Sequence, residues 1–124
     1  MCGIVGIIGK KEAYIDVLEG LKKLEYRGYD SAGLAYIFDK ELNDIKSVGK
    51  LSELMKKIEK LDKSNLKLSN ISIGHTRWAT HGKVDLKNAH PIISNKKTAV
   101  VHNGIIENYK NLKKDLLKED YIFE

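Results

Sequence analysis

The stretch MCGIVGIIG, residues 1–9, opens the chain and supplies its first predicted strand. Its β-branched residues predict a strand, and its glycines at positions 3, 6 and 9 indicate close approach of another backbone or of a ligand. Cys2 stands directly after the initiator methionine. If that methionine is removed, Cys2 carries a thiol and a free α-amine, and the amine can take the thiol proton near neutral pH. One residue would then supply both the nucleophile and its general base.

The composition of the whole chain is that of one ordinary globular domain. It has 124 residues, 42% of them hydrophobic and 31% charged, with a net charge of +5. No apolar run approaches the roughly 20 residues of a membrane helix, and the first residues do not form a secretory signal. A single cysteine forms no internal disulfide, which predicts a cytoplasmic location. The lysines are interleaved with acidic residues, which indicates solvated helix faces and not a nucleic-acid surface.

Hydrophobic periodicity predicts alternating strands and helices after the first strand. Met55, on the predicted helix over 51–61, is expected to pack into the hydrophobic core. Strands outnumber helices, and a hairpin is present, so we expect a mixed sheet with helices layered on it. The predicted elements are a helix over 11–25, a hairpin over 33–49 with its turn at 39–44, a helix over 51–61, a loop over 62–70, a strand over 71–74, a loop over 83–97, a strand over 98–101, a helix from Asn108 and a strand beginning at 121–123.

Three further segments combine small and polar residues at the ends of predicted elements, where binding loops usually lie. Arg77 could hold a carboxylate through its bidentate guanidinium. The Asn103 amide and the Gly104 N–H suit an oxyanion hole for a tetrahedral intermediate. The segments are YRGYDSAG (26–33), HTRWATHG (75–82) and HNGIIEN (102–108).

Together with residues 1–9, these segments resemble the glutaminase domain of the glutamine–fructose-6-phosphate aminotransferase family, within the N-terminal-nucleophile glutamine amidotransferases. The resemblance implies an α+β fold, a four-layer αββα sandwich of two antiparallel sheets, with Cys2 opening a central strand. Residues 1–124 would be the N-terminal portion of a type-2 glutamine amidotransferase domain, an incomplete part of that sandwich. The sugar isomerase domains of the family are absent from this sequence.

The resemblance also implies a role for each matching residue. Cys2 would attack the side-chain amide of glutamine, form a glutamyl thioester and release ammonia. Asn103 and Gly104 would form the oxyanion hole, and Arg77 would hold the substrate α-carboxylate. The other implied residues are Thr80 and His81 in the same pocket, Arg27 and Gly28 in a substrate-binding loop close to the nucleophile, and Trp78 as the gate for ammonia.

The expected partners follow from the same resemblance. They are glutamine and the sugar isomerase domains with their fructose 6-phosphate site, in a full-length protein that forms a homo-oligomer; nucleic acid and membrane are not expected. No cofactor is expected. None of the four histidines stands in a HExxH or CxxC context, so no metal site is expected either. His90 lies in a predicted loop, where it either contacts the pocket edge or only shapes it.

Three alternatives remain open at this point. The acceptor could differ, as in a phosphoribosyl diphosphate amidotransferase, or the domain could be non-catalytic and serve regulation or binding, or this part of the domain could be catalytically silent. Residues 78–82 and 105–108 favour the fructose-6-phosphate branch. The acidic residue with which the family pairs the substrate ammonium would follow Glu124, so we expect residues 1–124 alone to bind glutamine poorly.

Overall fold

The computed structural model describes residues 1–123. Short 3₁₀ turns at Glu25–Arg27 and Leu86–Asn88 join the main elements. These elements, in chain order, are β1 (Gly3–Ile8), α1 (Ala13–Lys23), β2 (Ser31–Phe38), β3 (Glu41–Val48), α2 (Leu51–Glu59), α3 (Ser64–Leu68), β4 (Ile71–Arg77), β5 (Ile92–Ser94), β6 (Thr98–Val100) and α4 (Tyr109–Lys118).

Four strands form one antiparallel sheet in the order β1-β4-β2-β3. The predicted hairpin is confirmed as β2 and β3, but its turn is shorter than expected. Only Asp39 and Lys40 separate the strands, and both have positive φ, 49° and 63°, as a tight two-residue hairpin turn requires. The polar residues that follow continue β3, since one of its faces meets solvent.

The hydrophobic core lies between one face of this sheet and helices α1, α2 and α3. Leu34 is fully buried on that face, and Gly74 lets α1 approach closely, because a Cβ there would meet Val17 and Leu21. Burial of each large aliphatic side chain contributes about 1.5–3 kcal/mol. The buried core side chains are Tyr14, Val17, Leu21, Ala32, Leu34, Ile45, Leu51, Leu54, Ile58 and Leu66.

The opposite face of the sheet is covered in part by the hairpin of β5 and β6. The Lys46 ammonium on β3 donates to the Pro91 carbonyl just before β5, at 3.3 Å. Residues 31–35 of β2 are therefore buried on both faces. At the sheet edge, by contrast, Ile4 and Ile8 of β1 are 46% and 78% exposed. The structure is thus an α+β arrangement of a helical layer, a four-stranded sheet and a small second sheet.

Several sequence-based expectations are wrong in detail. The expected loop 62–70 contains α3, whose Leu66 is buried, and the expected loop 83–97 contains β5. The expected strand at 121–123 is not formed. Met55 is 39% exposed and does not fill the core, because α2 turns Leu51, Leu54 and Ile58 inward.

The expected central position of the first strand is also not met among residues 1–123. β1 pairs with β4 alone and forms the edge of the four-stranded sheet. Helix α4 begins at Tyr109, directly after Asn108 as predicted, although the Asn108 side chain donates and accepts no capping bond. None of the helices in the described part is long and apolar enough to span a bilayer.

Candidate functional site

The cleft that holds most of the predicted site residues lies at one end of the β1–β4 ladder. Cys2 directly precedes β1, and Arg77 ends β4. The strands are antiparallel with Gly3 opposite Thr76, so the start of β1 meets the end of β4. Loops that follow β4 and β6 close the cleft. Its lining residues are Cys2, Arg77, Trp78, Thr80, His81, His90, His102, Asn103 and Gly104.

The Cys2 thiol is half-buried and contacts the backbone at the end of β4. The Trp78 N–H donates to Cys2 Sγ at 3.4 Å, and the Gly3 N–H donates to Thr76 Oγ1 at 3.1 Å. A Cβ at position 3 would collide with Thr76 and Leu24, so only glycine fits beside the cysteine. The thiol in turn donates to the Trp78 carbonyl at 3.9 Å, so both backbone groups of Trp78 hold the sulfur at the end of β4.

The chain terminus is fixed beside the cleft by two carbonyls. The Met1 ammonium donates to the Arg27 carbonyl at 2.9 Å and to the Gly28 carbonyl at 3.2 Å. The Arg27 side chain is exposed and its Nε donates to the Tyr26 hydroxyl. Arg27 and Gly28 thus lie close to the predicted nucleophile, but they offer backbone oxygens and do not line the cleft.

The Arg77 guanidinium is buried beneath the cleft. It donates to the His81 carbonyl and, at 3.5 Å, to the Lys83 carbonyl. Within residues 1–123, no carboxylate lies at salt-bridge distance from it. A buried cation without a counter-charge is costly, and an anionic ligand group in the cleft would offset that cost.

The turn after β4 is fixed by Asp30, which the sequence did not single out. Asp30 Oδ2 accepts from the Ala79 N–H at 2.6 Å, and the Asp30 N–H donates to the Arg77 carbonyl at 2.8 Å. Thr80 and His81 lie further along this turn, exposed on the cleft wall. The only sequence signal for Asp30 is its place in the polar segment 26–33.

Three histidines meet at the base of the cleft. The rings of His75 and His90 stack with centroids 4.5 Å apart and planes 25° apart, and the His102 N–H donates to His90 Nδ1 at 3.2 Å. Burial, followed by the charges of His90 and Arg77, lowers the pKa of His75 to about 4. Burial and the Arg77 charge also lower the pKa of His90. Both imidazoles are therefore neutral at pH 7.

Asn103 and Gly104 follow His102 on the exposed side of the cleft. The His102 ring folds over Gly104, where a Cβ would lie 2.8 Å from His102 Nε2. The described residues contain no group of three or more His, Cys, Asp or Glu side chains placed to hold a metal ion. Of the histidines, the sequence assigned only His81 to the site; the contact of His90 with the loop at 102–104 becomes visible only in three dimensions.

No protein-family model matches the chain. Curated proteins named glutamine–fructose-6-phosphate aminotransferase (isomerizing) do: the one from Bartonella quintana is 51% identical over 100% of this chain, and that from Clostridium tetani is 55% identical over 99%. The chain covers 20% of each, so it spans about a fifth of the length of these relatives. The match falls in their N-terminal part.

Two solved structures have the same fold over the whole chain. One is described as the allosteric regulatory enzyme of purine biosynthesis, with a TM-score of 0.78, 28% identity, and 26% of that chain covered. The other is the glutamine phosphoribosylpyrophosphate amidotransferase from B. subtilis, complexed with ADP and GMP, with a TM-score of 0.76, 28% identity and the same coverage. In both cases the match covers 100% of the present chain.

Proposed function

We infer the function from the family to which this chain belongs, the N-terminal-nucleophile glutamine amidotransferases, and from its similarity to the N-terminal part of glutamine–fructose-6-phosphate aminotransferases. We propose that the cleft hydrolyses the side-chain amide of glutamine and supplies the ammonia to a sugar-phosphate acceptor. The observation that carries this proposal is the meeting, at the same strand ends, of the Cys2 thiol and the buried Arg77 guanidinium, which has no carboxylate partner among residues 1–123.

The nucleophilic step uses Cys2 after removal of Met1. The free α-amine takes the thiol proton, and the sulfur attacks the amide carbon of glutamine, which forms a tetrahedral intermediate. The amine then returns the proton to the amide nitrogen, which leaves as ammonia and yields a thioester. Water hydrolyses the thioester to glutamate and restores the thiol. The Trp78 N–H, which contacts the sulfur in this structure, holds it at the end of β4.

The two ends of glutamine are assigned to two different groups. The Asn103 amide and the Gly104 N–H would bind the oxyanion of the tetrahedral intermediate. Arg77 would bind the α-carboxylate, because its guanidinium is buried at the cleft and has carbonyls but no carboxylate as partners in the described part of the chain. Thr80 and His81 would line the substrate pocket, and the Trp78 ring, 51% exposed at its mouth, would gate ammonia.

The acceptor is assigned from the names of the relatives. We propose that the ammonia converts fructose 6-phosphate to glucosamine 6-phosphate, that residues 1–124 are the N-terminal portion of a type-2 amidotransferase domain, and that sugar isomerase domains hold the acceptor. The proposal includes a cytoplasmic homo-oligomer that binds neither nucleic acid nor membrane. The support is identity of 51–55% to aminotransferases of that name, against 28% to the structural relatives.

The second candidate is the chemistry named for the B. subtilis structure, transfer of ammonia from glutamine to phosphoribosyl diphosphate. Its support is the shared fold at TM-scores of 0.76 and 0.78. The two candidates use the same glutaminase step and differ only in the acceptor. Supplying the intact protein with glutamine and either fructose 6-phosphate or phosphoribosyl diphosphate distinguishes them. We expect glucosamine 6-phosphate when fructose 6-phosphate is supplied, and no aminated product when phosphoribosyl diphosphate is supplied.

The glutaminase step is tested by release of glutamate from glutamine. Cys2 is the only cysteine of this sequence, so an electrophilic glutamine analogue should label it alone and with one equivalent. We expect activity in the protein that starts at Cys2, and none in Cys2→Ala or in a protein with an uncleaved extension before Cys2. Activity that survives either change would contradict the mechanism. Cys2→Ser with a free terminus is the matched control for the sulfur itself.

A further inference from the structure

The loop that carries Asn103 and Gly104 has one side-chain anchor in the described part of the chain. The His102 N–H donates to His90 Nδ1 at 3.2 Å. Asn103 and Gly104 are exposed. No regular helix or strand contains residues 101–106. The position of the two proposed oxyanion donors therefore depends on what holds His90.

The glycine at position 33 of β2 lets the backbone of His90 lie directly against the sheet. Gly33 of β2 pairs with His75 of β4, and both face the side of the sheet opposite the helices. A Cβ on Gly33 would collide with the His90 carbonyl, so His90 lies at this position only because residue 33 is glycine. The His90 ring then covers the ring of the neighbouring residue in the ladder, His75, at 4.5 Å. Two adjacent sheet positions thus fix both its backbone and its ring.

The electrostatics of the pair hold one tautomer of His90. Nδ1 accepts a hydrogen bond, so it carries no proton, and the proton of the neutral ring lies on Nε2. His75 is completely buried, and neither of its nitrogens has a partner among residues 1–123. Two stacked imidazolium rings would repel one another beside Arg77, so the arrangement requires neutral rings.

We propose that His90 is a positioning residue of the glutaminase step: seated over Gly33 and stacked on His75, it holds the His102 N–H and thereby places Asn103 and Gly104 against the reacting amide. This inference rests on the proposed function. Oxyanion donors bind the negative charge that develops in the transition state. The His75–His90 pair should therefore affect the rate of the chemical step and not the binding of glutamine.

The decisive comparison is between two variants at position 90. In His90→Asn, Oδ1 lies two bonds from Cβ, as Nδ1 does, and can accept from the His102 N–H. In His90→Leu, the size is similar but the acceptor is lost. Displacement of an oxyanion donor lowers kcat by roughly 100-fold. We expect that loss in His90→Leu, with KM for glutamine within about threefold, and recovery to within about tenfold of wild type in His90→Asn.

Two readouts separate this role from a general structural one. Alkylation of Cys2 by iodoacetamide is a direct displacement that needs no oxyanion hole, so its rate should be unchanged in His90→Leu. Gly33→Ala is the second variant, since it moves His90 without removing its ring, and it should lower kcat in the same way. The proposal is overturned if His90→Leu keeps wild-type kcat, if it slows alkylation in proportion to kcat, or if His90→Asn is as impaired as His90→Leu.

A further measurement keeps this inference distinct from the proposed function. Nitrogen-15 chemical shifts of the wild-type imidazoles should show His90 as the neutral ring protonated at Nε2, and this signal should disappear in His90→Asn. If wild-type protein released no glutamate, the proposed function would fail, whereas the tautomer would still show whether His90 holds the loop. A proton found on His90 Nδ1 would overturn the inference alone.

Discussion

The Asp30 carboxylate and the Ala79 backbone are joined by a 2.6 Å hydrogen bond from the Ala79 N–H to Asp30 Oδ2. The Asp30 N–H also donates to the Arg77 carbonyl at 2.8 Å, so one residue binds the backbone on both sides of Trp78. Charge-assisted bonds of this length are among the stronger ones in proteins. Asp30 directly precedes β2, the neighbour of β4 in the sheet, so the turn that leaves β4 is held from the start of the adjacent strand. The Trp78 N–H that contacts Cys2 lies inside this turn.

We expect Asp30→Ala to destabilise the protein by about 1–3 kcal/mol, because the Ala79 N–H loses a charged acceptor. The substitution should also lower kcat/KM for glutamine, since the turn carries part of the cleft. Asp30→Asn keeps an acceptor and should have a smaller effect. Chemical denaturation and glutamate release measure both quantities. Asp115→Ala on the exposed face of α4 is the control, and we expect it to change stability by less than about 0.5 kcal/mol.

Arg77→Lys should raise KM for glutamine by about 10–100-fold, because an ammonium replaces a planar fork that can bind a carboxylate through two bonds. The effect on kcat should be smaller, since the α-carboxylate lies away from the reacting amide. Steady-state kinetics give both parameters. Lys56→Ala removes an exposed positive charge from α2 and should leave KM unchanged. An unchanged KM in Arg77→Lys would remove this residue from the substrate site.

Acid should destabilise the protein through His75. Burial lowers the pKa of His75 from 6.5 to about 4, so between these values the unfolded chain binds more protons than the folded one. The stabilisation is complete above pH 6.5 and is lost as the pH falls towards 4, by about 3 kcal/mol in total. The charged and titratable groups that face the pair are Arg77, His102 and, next to His90, Lys46. The lowered pKa of His90 acts in the same direction as that of His75.

Denaturant unfolding between pH 4.5 and 7.5 measures this dependence. In His75→Phe the stacked ring is kept and the titration is removed, so the slope below pH 6.5 should be reduced. Among residues 1–123, Asp62 has a lowered pKa. The pH dependence that it causes lies below its ordinary pKa of 3.8 and therefore outside the measured pH range. A slope in His75→Phe equal to that of wild type would show that another group causes the acid sensitivity.

Leu34→Ala should destabilise the protein by about 2–5 kcal/mol, because Leu34 is completely buried between the sheet and the helices and its loss leaves a cavity. Leu68→Ala, at the exposed end of α3, makes the same chemical change at a side chain that is 51% exposed. We expect it to cost less than about 1 kcal/mol. Similar losses in the two variants would contradict the core assigned here. Thermal or denaturant unfolding followed by circular dichroism provides the comparison.

The elements with a clear period were predictable from the sequence, and the short ones were not. α1 and α2 carry apolar residues at helical spacing, and β2 and β3 face each other across a polar turn. α3 has one turn and a single buried side chain, Leu66, which is too little for a periodic signal. β5 has three residues and follows Pro91, so its sequence resembles a loop until β6 pairs with it.

The sequence names most of the residues that the cleft brings together, and their roles stay predictions. Cys2 by itself does not indicate a nucleophile; it became a candidate only beside the segments that hold Arg77 and Asn103, which line the same cleft. Asp30 and His90 act through backbone groups distant in sequence, the Ala79 N–H 49 residues away and the His102 N–H 12 residues away. Such contacts depend on the register of the sheet, which local pattern does not specify.

The pairing of Gly3 with Thr76 links assembly of the sheet to chemical competence. Successive residues of a strand point to opposite faces, so a slip of one residue between β1 and β4 would turn Cys2 away from the Trp78 N–H. Because β1 is an edge strand of the described sheet, only its pairing with β4 fixes its register within that sheet. A misaligned molecule would keep its helices and most of its core and still be inert. A sample that contains misaligned molecules should therefore release less glutamate per milligram of protein while its helical content is unchanged.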